Sequence, residues 1–309
     1  MSRIGYISLV LLVFSSMVKS QDPFPEVVSG RIERIENFQS QYITPRNIDI
    51  WLPDGYSDSG RYPVLYMNDG QMLFDPDITW NKQSWNVDDV ATELFKAGTT
   101  RKFIVVGIWN GGQTRHADYF PQKPFEMMSQ AGRDTITAQL KRTRIITTGF
   151  SPQSDNYLKF IVRELKPYID KRYSVNTGPE STCITGSSMG GLISLYAVCE
   201  YPDIFGKAIC MSTHWPGTFT LRDNPYPDAM LRYIGMNLPD PRGHKMYFDC
   251  GGRTLDALYP EIQKRVDSLM VKRGYGKSNW VTEFFPGEDH SENAWSKRLR
   301  IPLEFMFGK

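Results

Sequence analysis

One hexapeptide constrains this 309-residue chain more than any other stretch: Gly186-Ser187-Ser188-Met189-Gly190-Gly191. It follows Thr182-Cys183-Ile184-Thr185, a short apolar run that reads as a buried strand, and it opens a helical run from about Met189 to Glu200. A strand that turns sharply into a helix lifts the side chain at its apex, Ser188, above the sheet edge. Glycines at 186 and 190 let neighbouring backbone pass close by. As three fixed positions the G-x-S-x-G pattern is weak; set between strand and helix, it makes Ser188 a candidate nucleophile. A phosphate-binding loop is excluded, because no Lys follows the glycines.

The same alternation extends through most of the chain. Tyr62–Met67, Phe103–Trp109, Ala208–Met211, Lys245–Asp249 and Trp280–Phe284 read as further strands. Helical patterns fall near Val87–Lys96, Asp155–Tyr173, Pro260–Lys272 and Glu292–Phe307. Strands alternating with helices imply a mostly parallel central sheet with helices on both faces. Before it, residues 26–52 carry two strand-like runs, including Tyr42-Ile43 and Ile48–Leu52, which suggest an antiparallel N-terminal start. Two long excursions, Gly111–Gly149 and His214–His244, break the rhythm where a lid or pocket wall is usual.

A serine hydroxyl needs a base. Of the four histidines, His116, His214, His244 and His290, only His290 lies between the last strand and the last helix, where the chain order of such sites puts the base. The acid is expected after the preceding strand. Asp256 fits, a few residues past Gly251-Gly252; Asp249 is expected to point into the sheet, and Glu288 and Asp289 lie too close to His290 in sequence to orient its ring. The N–H groups of Met189 and of Gln71 are expected to hold an oxyanion, with Met72 as second choice to Gln71 on the Asn68–Met72 loop. Arg115, Tyr119 and His214, on the two excursions, are expected to touch substrate.

With these residues placed, the chain resembles a family of α/β-hydrolase esterases that includes esterase D, enterochelin esterases, feruloyl and acetyl xylan esterases and the antigen 85 mycolyltransferases. The resemblance spans residues 28 to 307. It is carried by Tyr62–Gln71 with Leu73-Phe74-Asp75, Gly107–Asn110 with Arg115 and Tyr119-Phe120-Pro121, Gly186–Gly191, and Pro286-Gly287 with His290 and Glu292–Trp295. It implies the α/β-hydrolase fold and carboxylic-ester hydrolysis through an acyl-enzyme, on an acyl or aryl ester of a polysaccharide or other extracellular compound. Siderophore-ester hydrolysis, acyl transfer to an alcohol, and glycan or protein binding without catalysis are the alternatives. The resemblance supports Ser188 and His290 directly and Asp256 less firmly. It implies no metal and no organic cofactor.

Residues 1–20 read differently from the rest. Arg3 precedes an apolar run, Ile7 to Phe14, broken only by Ser8, and Val18 and Ser20 stand as the −3 and −1 residues of a cleavage site. This is a signal-peptide pattern, and it predicts a secreted or periplasmic protein whose residues 21–309 form one domain. The apolar run is far short of the roughly 20 residues needed to span a bilayer, so no stable membrane anchor is expected. The formal charge of +2 and the lack of a polybasic strip argue against nucleic acid as a partner. Oligomeric state leaves no mark in the pattern. The four cysteines sit in apolar runs without a CxxC pair, as buried small hydrophobes do.

Overall fold

The computed structural model describes residues 22–309, so the expected leader at 1–20 lies outside the described residues. Eight strands form one sheet in the order β1-β2-β4-β3-β5-β6-β7-β8. They are β1 (Arg31–Phe38), β2 (Arg46–Leu52), β3 (Val64–Asn68), β4 (Ile104–Ile108), β5 (Thr182–Ser187), β6 (Lys207–Met211), β7 (Lys245–Gly251) and β8 (Trp280–Phe285). β2 pairs antiparallel with β1 and with β4, and every pairing from β4 through to β8 is parallel.

The inner strands are buried on both faces, and their side chains sort with period two, as the pleat requires. Val64 and Tyr66 of β3 join one apolar layer with Ile184, Ala208, Met246 and Phe248, while Leu65 and Met67 join the other with Cys183, Ile209 and Tyr247. The four cysteines are buried and free. The helix that follows Ser188, Met189–Glu200, is buried on nearly every side, which explains its largely apolar composition. No helix of the described residues is long and apolar enough to cross a membrane.

Three local expectations differ from the structure. Tyr42-Ile43 is not in a strand: both backbone N–H groups donate to Ser40 Oγ (3.0 and 3.3 Å), so they turn the chain instead of joining a ladder. The first strand is Arg31–Phe38, whose charged residues belong to an edge strand with one wet face. The terminal helix is two, Glu292–Arg298 and Arg300–Phe307. Pro302 has no N–H to give the Arg298 carbonyl, and its ring crowds that group, so the helix breaks at Leu299. The helical stretch 154–172 is continuous only through a wider π turn at Ile161–Leu165, placed where Pro167 removes another such hydrogen bond.

Candidate active site

The parallel strands all run out at one edge of the sheet, and there the predicted residues collect. Ser188 sits at the apex of the turn after β5 with φ 57° and ψ −122°, a backbone conformation that non-glycine residues seldom adopt. It is pinned from both sides: its N–H donates to the Met211 carbonyl (3.0 Å), and its carbonyl accepts from the His214 N–H (3.1 Å). The turn needs glycine at 186, where a Cβ atom would stand 2.7 Å from the Gly190 carbonyl carbon. At 190 the requirement is looser, since a Cβ there would meet Asn68 and Asp69 at 3.4 Å.

His290 lies on the loop after β8, its backbone N–H donating to Thr254 Oγ1 (3.0 Å). Its Nδ1 is 2.5 Å from Asp256 Oδ1. Asp256 is fully buried on the short helical turn Thr254–Leu258 after β7. Its other oxygen, Oδ2, accepts from Ser212 Oγ and the Gly251 N–H, both at 2.5 Å. Ser212 Oγ in turn accepts from Trp295 Nε1 (2.9 Å) and Arg298 Nη2 (2.8 Å). A carboxylate so supplied with donors is held in place, able to orient an imidazole. The Trp295 ring packs edge-on against His290, with centroids 5.0 Å apart. Asp249, in β7, is committed elsewhere: both its oxygens hold the buried Arg298 guanidinium (3.0 and 3.1 Å). Glu288 and Asp289 do not hold the His290 ring.

Ser188 and His290 line one cleft of about 620 Å³. Its lining is mixed, with polar Asp69, Gln71, Asn110, Arg115 and Glu292 and apolar Trp85, Trp295, Ile145, Phe219 and Leu255. Trp80, 83% exposed, stands at the mouth. A volume of this size suits a small organic ligand with few fixed polar contacts.

Met189 opens its helix, so its N–H has no partner within that helix. Beside it, Asp69 in a left-handed conformation and Gly70 turn the chain after β3, and a Cβ at 70 would collide with the Gly107 carbonyl at 2.6 Å. Met72 donates its N–H to the Asp69 carbonyl (2.9 Å), which removes the second-choice oxyanion donor. Gln71 lines the cleft, held by its Oε1 accepting from the Asn110 N–H (3.1 Å).

The three expected substrate contacts separate. Arg115 lines the cleft, its guanidinium gripping both oxygens of Asp69 (2.6 and 2.8 Å). Tyr119 does not: it is fully buried beneath Arg115, and its hydroxyl accepts from the Asp69 N–H (3.2 Å). His214 does not either. It is 1% exposed and lies behind Ser188, with Nδ1 2.7 Å from the Tyr259 hydroxyl. Both sit on excursions whose depth the sequence does not encode, and both rings turned inward. His116, whose pKa is pushed down to about 4 by burial, packs against Gly217, and His244 bonds the Pro202 and Asp240 carbonyls. Ser212, Arg298, Phe219 and Tyr259 carried no pattern that marked them. Among the described residues no cluster of three or more His, Cys, Asp or Glu side chains could hold a metal ion.

A family model described as putative esterase matches residues 40–300. An uncharacterized protein of Bacillus subtilis strain 168, YbbA, is 23% identical over 272 residues, covering 85% of this chain and 93% of the relative. Among solved structures, a ferulic acid esterase superposes with TM-score 0.63 at 19% identity, over 90% of this chain and 98% of the other. The enterobactin esterase FES from Shigella flexneri, in the presence of enterobactin, superposes with TM-score 0.64 at 17% identity, over 91% and 60%. These neighbours share the α/β-hydrolase fold.

Proposed function

The chain belongs to the putative esterase family, and from that premise we propose a serine carboxylic-ester hydrolase in which Ser188, His290 and Asp256 act together. The observation that supports this most is the joining of three separate strand exits: a strained Ser188 on the same cleft as His290, whose Nδ1 meets the buried Asp256 at 2.5 Å. Ser188 Oγ attacks the ester carbonyl as His290 takes its proton. The N–H groups of Met189 and Gln71 receive the oxyanion, and His290 returns the proton to the leaving alcohol. Water then repeats the sequence on the acyl-enzyme. Asp256 fixes the His290 tautomer and supports the imidazolium that forms.

The mixed polar and aromatic lining of the cleft supports an ester that joins an aryl or small acyl group to a hydroxylated partner such as a polysaccharide. The leader-like residues 1–20 support a secreted or periplasmic site of action for a single domain over 21–309. A catecholate siderophore ester is the second substrate class, and transfer to an acceptor alcohol is the variant of the same acyl-enzyme chemistry. A panel of p-nitrophenyl acetate, methyl ferulate, acetyl-xylan and a catecholate ester, each with and without an acceptor alcohol, separates these. Ser188→Ala is expected to lower turnover on the best substrate by several orders of magnitude with the fold intact, as loss of a nucleophile does. A folded Ser188→Ala protein that keeps more than about a few per cent of activity would sink the reading.

A further inference from the structure

The cleft carries a carboxylate where the proposed chemistry would least tolerate one. Asp69 lies two positions before Gln71, and its Oδ2 comes within 3.4 Å of the point where a side chain on Gly190 would begin. Gly190 directly follows Met189. The Asp69 carboxylate therefore borders both stretches whose N–H groups are proposed to receive the oxyanion. A unit negative charge about 6 Å from a forming oxyanion, at an effective dielectric of about 20, slows its formation roughly 100-fold.

Arg115 answers that charge. Its Nε and Nη2 donate to the two oxygens of Asp69 (2.6 and 2.8 Å), the paired geometry that holds a carboxylate most firmly. The same carboxylate anchors the turn. Asn110 Nδ2 donates to Asp69 Oδ1 (2.7 Å), and the Asn110 N–H donates to Gln71 Oε1 (3.1 Å), so one residue ties Asp69 and Gln71 together. The Asp69 N–H donates to the buried Tyr119 hydroxyl (3.2 Å). These bonds keep Asp69 at φ 59° and ψ 46°, a left-handed conformation that non-glycine residues hold only when their surroundings enforce it. Glu292, the other carboxylate on the cleft, is engaged by Asn81 Nδ2 instead (2.8 Å).

We propose that Arg115 is a positioning residue for the oxyanion site, fixing the Asp69–Gln71 turn and neutralising the Asp69 carboxylate beside it. This rests on the reading of Ser188 as nucleophile and of the Met189 and Gln71 N–H groups as oxyanion donors. The bound ester carbonyl is neutral and gains little from Arg115. As Ser188 Oγ bonds the carbonyl carbon, its proton passes to His290 and the C=O electron pair moves onto the carbonyl oxygen. That oxygen is now charged, and Arg115 keeps it from facing an uncompensated carboxylate. An interaction that matters only in the transition state shows itself in kcat.

The test uses the full chain, p-nitrophenyl acetate turnover and the rate at which a fluorophosphonate labels Ser188, with thermal melts to confirm folding. Arg115→Met is expected to lower kcat and the labelling rate about 10- to 100-fold with KM within about twofold. Arg115→Lys, which keeps the charge without the paired geometry, should lose less than about fivefold. Asp69→Asn removes the opposing charge and keeps an acceptor, so it should lose less than Arg115→Met. The Asp69→Asn/Arg115→Met pair should recover most of what Arg115→Met loses. A pair that served only as scaffold would give equal losses from either side and no recovery in the double variant, and that result overturns the proposal. So does a rise in KM with kcat unchanged, which would make Arg115 a substrate contact. If Arg115→Met does not fold, Arg115→Lys decides, and a kcat loss of about fivefold or more in the folded variant overturns the proposal. Turnover that survives Ser188→Ala fails the underlying reading instead, which is a different result.

Discussion

Asp249 and Asp256 are two fully buried carboxylates seven positions apart, and their surroundings assign them opposite work. Asp256 meets a ring that opens on the cleft, so its loss should be felt in chemistry. Asp256→Asn is expected to lower kcat about 10²- to 10⁴-fold with little change in KM, because the imidazole loses the acceptor that fixes its tautomer. Asp249 is the nearer buried partner of Arg298, whose Nη2 also lies 3.9 Å from Asp256 Oδ2, so removing Asp249 takes away the closer of two counter-charges, at a cost of up to about 3–5 kcal/mol. Asp249→Asn should therefore lower the melting temperature with far less effect on the kcat of the protein that remains folded. Parallel kinetics and thermal melts check both; equal kinetic losses in the two variants contradict the division. This distinction was legible in the sequence, because one residue lies within a strand pattern and the other just past it. The supporting groups were not. Ser212 and Arg298 come from a separate loop and helix, and nothing in their local patterns says that they converge on Asp256.

At the scale of elements, the turn after β5 is held by close packing as well as by its hydrogen bonds. The sequence pattern treats Gly186 and Gly190 alike, and the packing does not. A methyl group at 186 must push the start of the following helix away, whereas one at 190 meets only ordinary contact. Gly186→Ala is expected to cost about 1–3 kcal/mol of stability as an overpacked site and to lower kcat by moving Ser188; Gly190→Ala should do less of each. Thermal unfolding and turnover of the two variants measure the difference, and a milder Gly186→Ala would refute this account. Most strands and helices were legible because period and punctuation agree in them. The exceptions, Tyr42-Ile43, the π turn before Pro167 and the break before Pro302, arise where one side-chain hydroxyl or one missing N–H overrides an apolar pattern.

For the whole molecule, the attachment of the N-terminal segment gives stability a pH dependence. Asp88 Oδ2 accepts from the Val28 N–H (2.8 Å), while its Oδ1 is buried with no partner among the described residues. Burial raises this carboxyl from an ordinary value of 3.8 to about 6. The folded state thus holds the proton more tightly than the unfolded chain does. The stability this gives is fully present below about pH 4 and is lost as pH rises through about 6. Asp88→Asn keeps an acceptor for Val28 and never ionises. Its melting temperature should exceed that of the wild type at pH 8 and not at pH 4; an equal difference at both pH values would rule this out. The sheet order has a separate consequence, one of timing. Ser188 leaves β5, but its partners leave β7 and β8, and β8 is the outermost strand, joined only to β7. The elbow forms from neighbouring residues, whereas His290 reaches it only across a sequence separation of 102 positions. A partly folded chain can present the nucleophile without its base. If the proposed triad holds, such a chain is expected to be chemically silent until the last strand has docked.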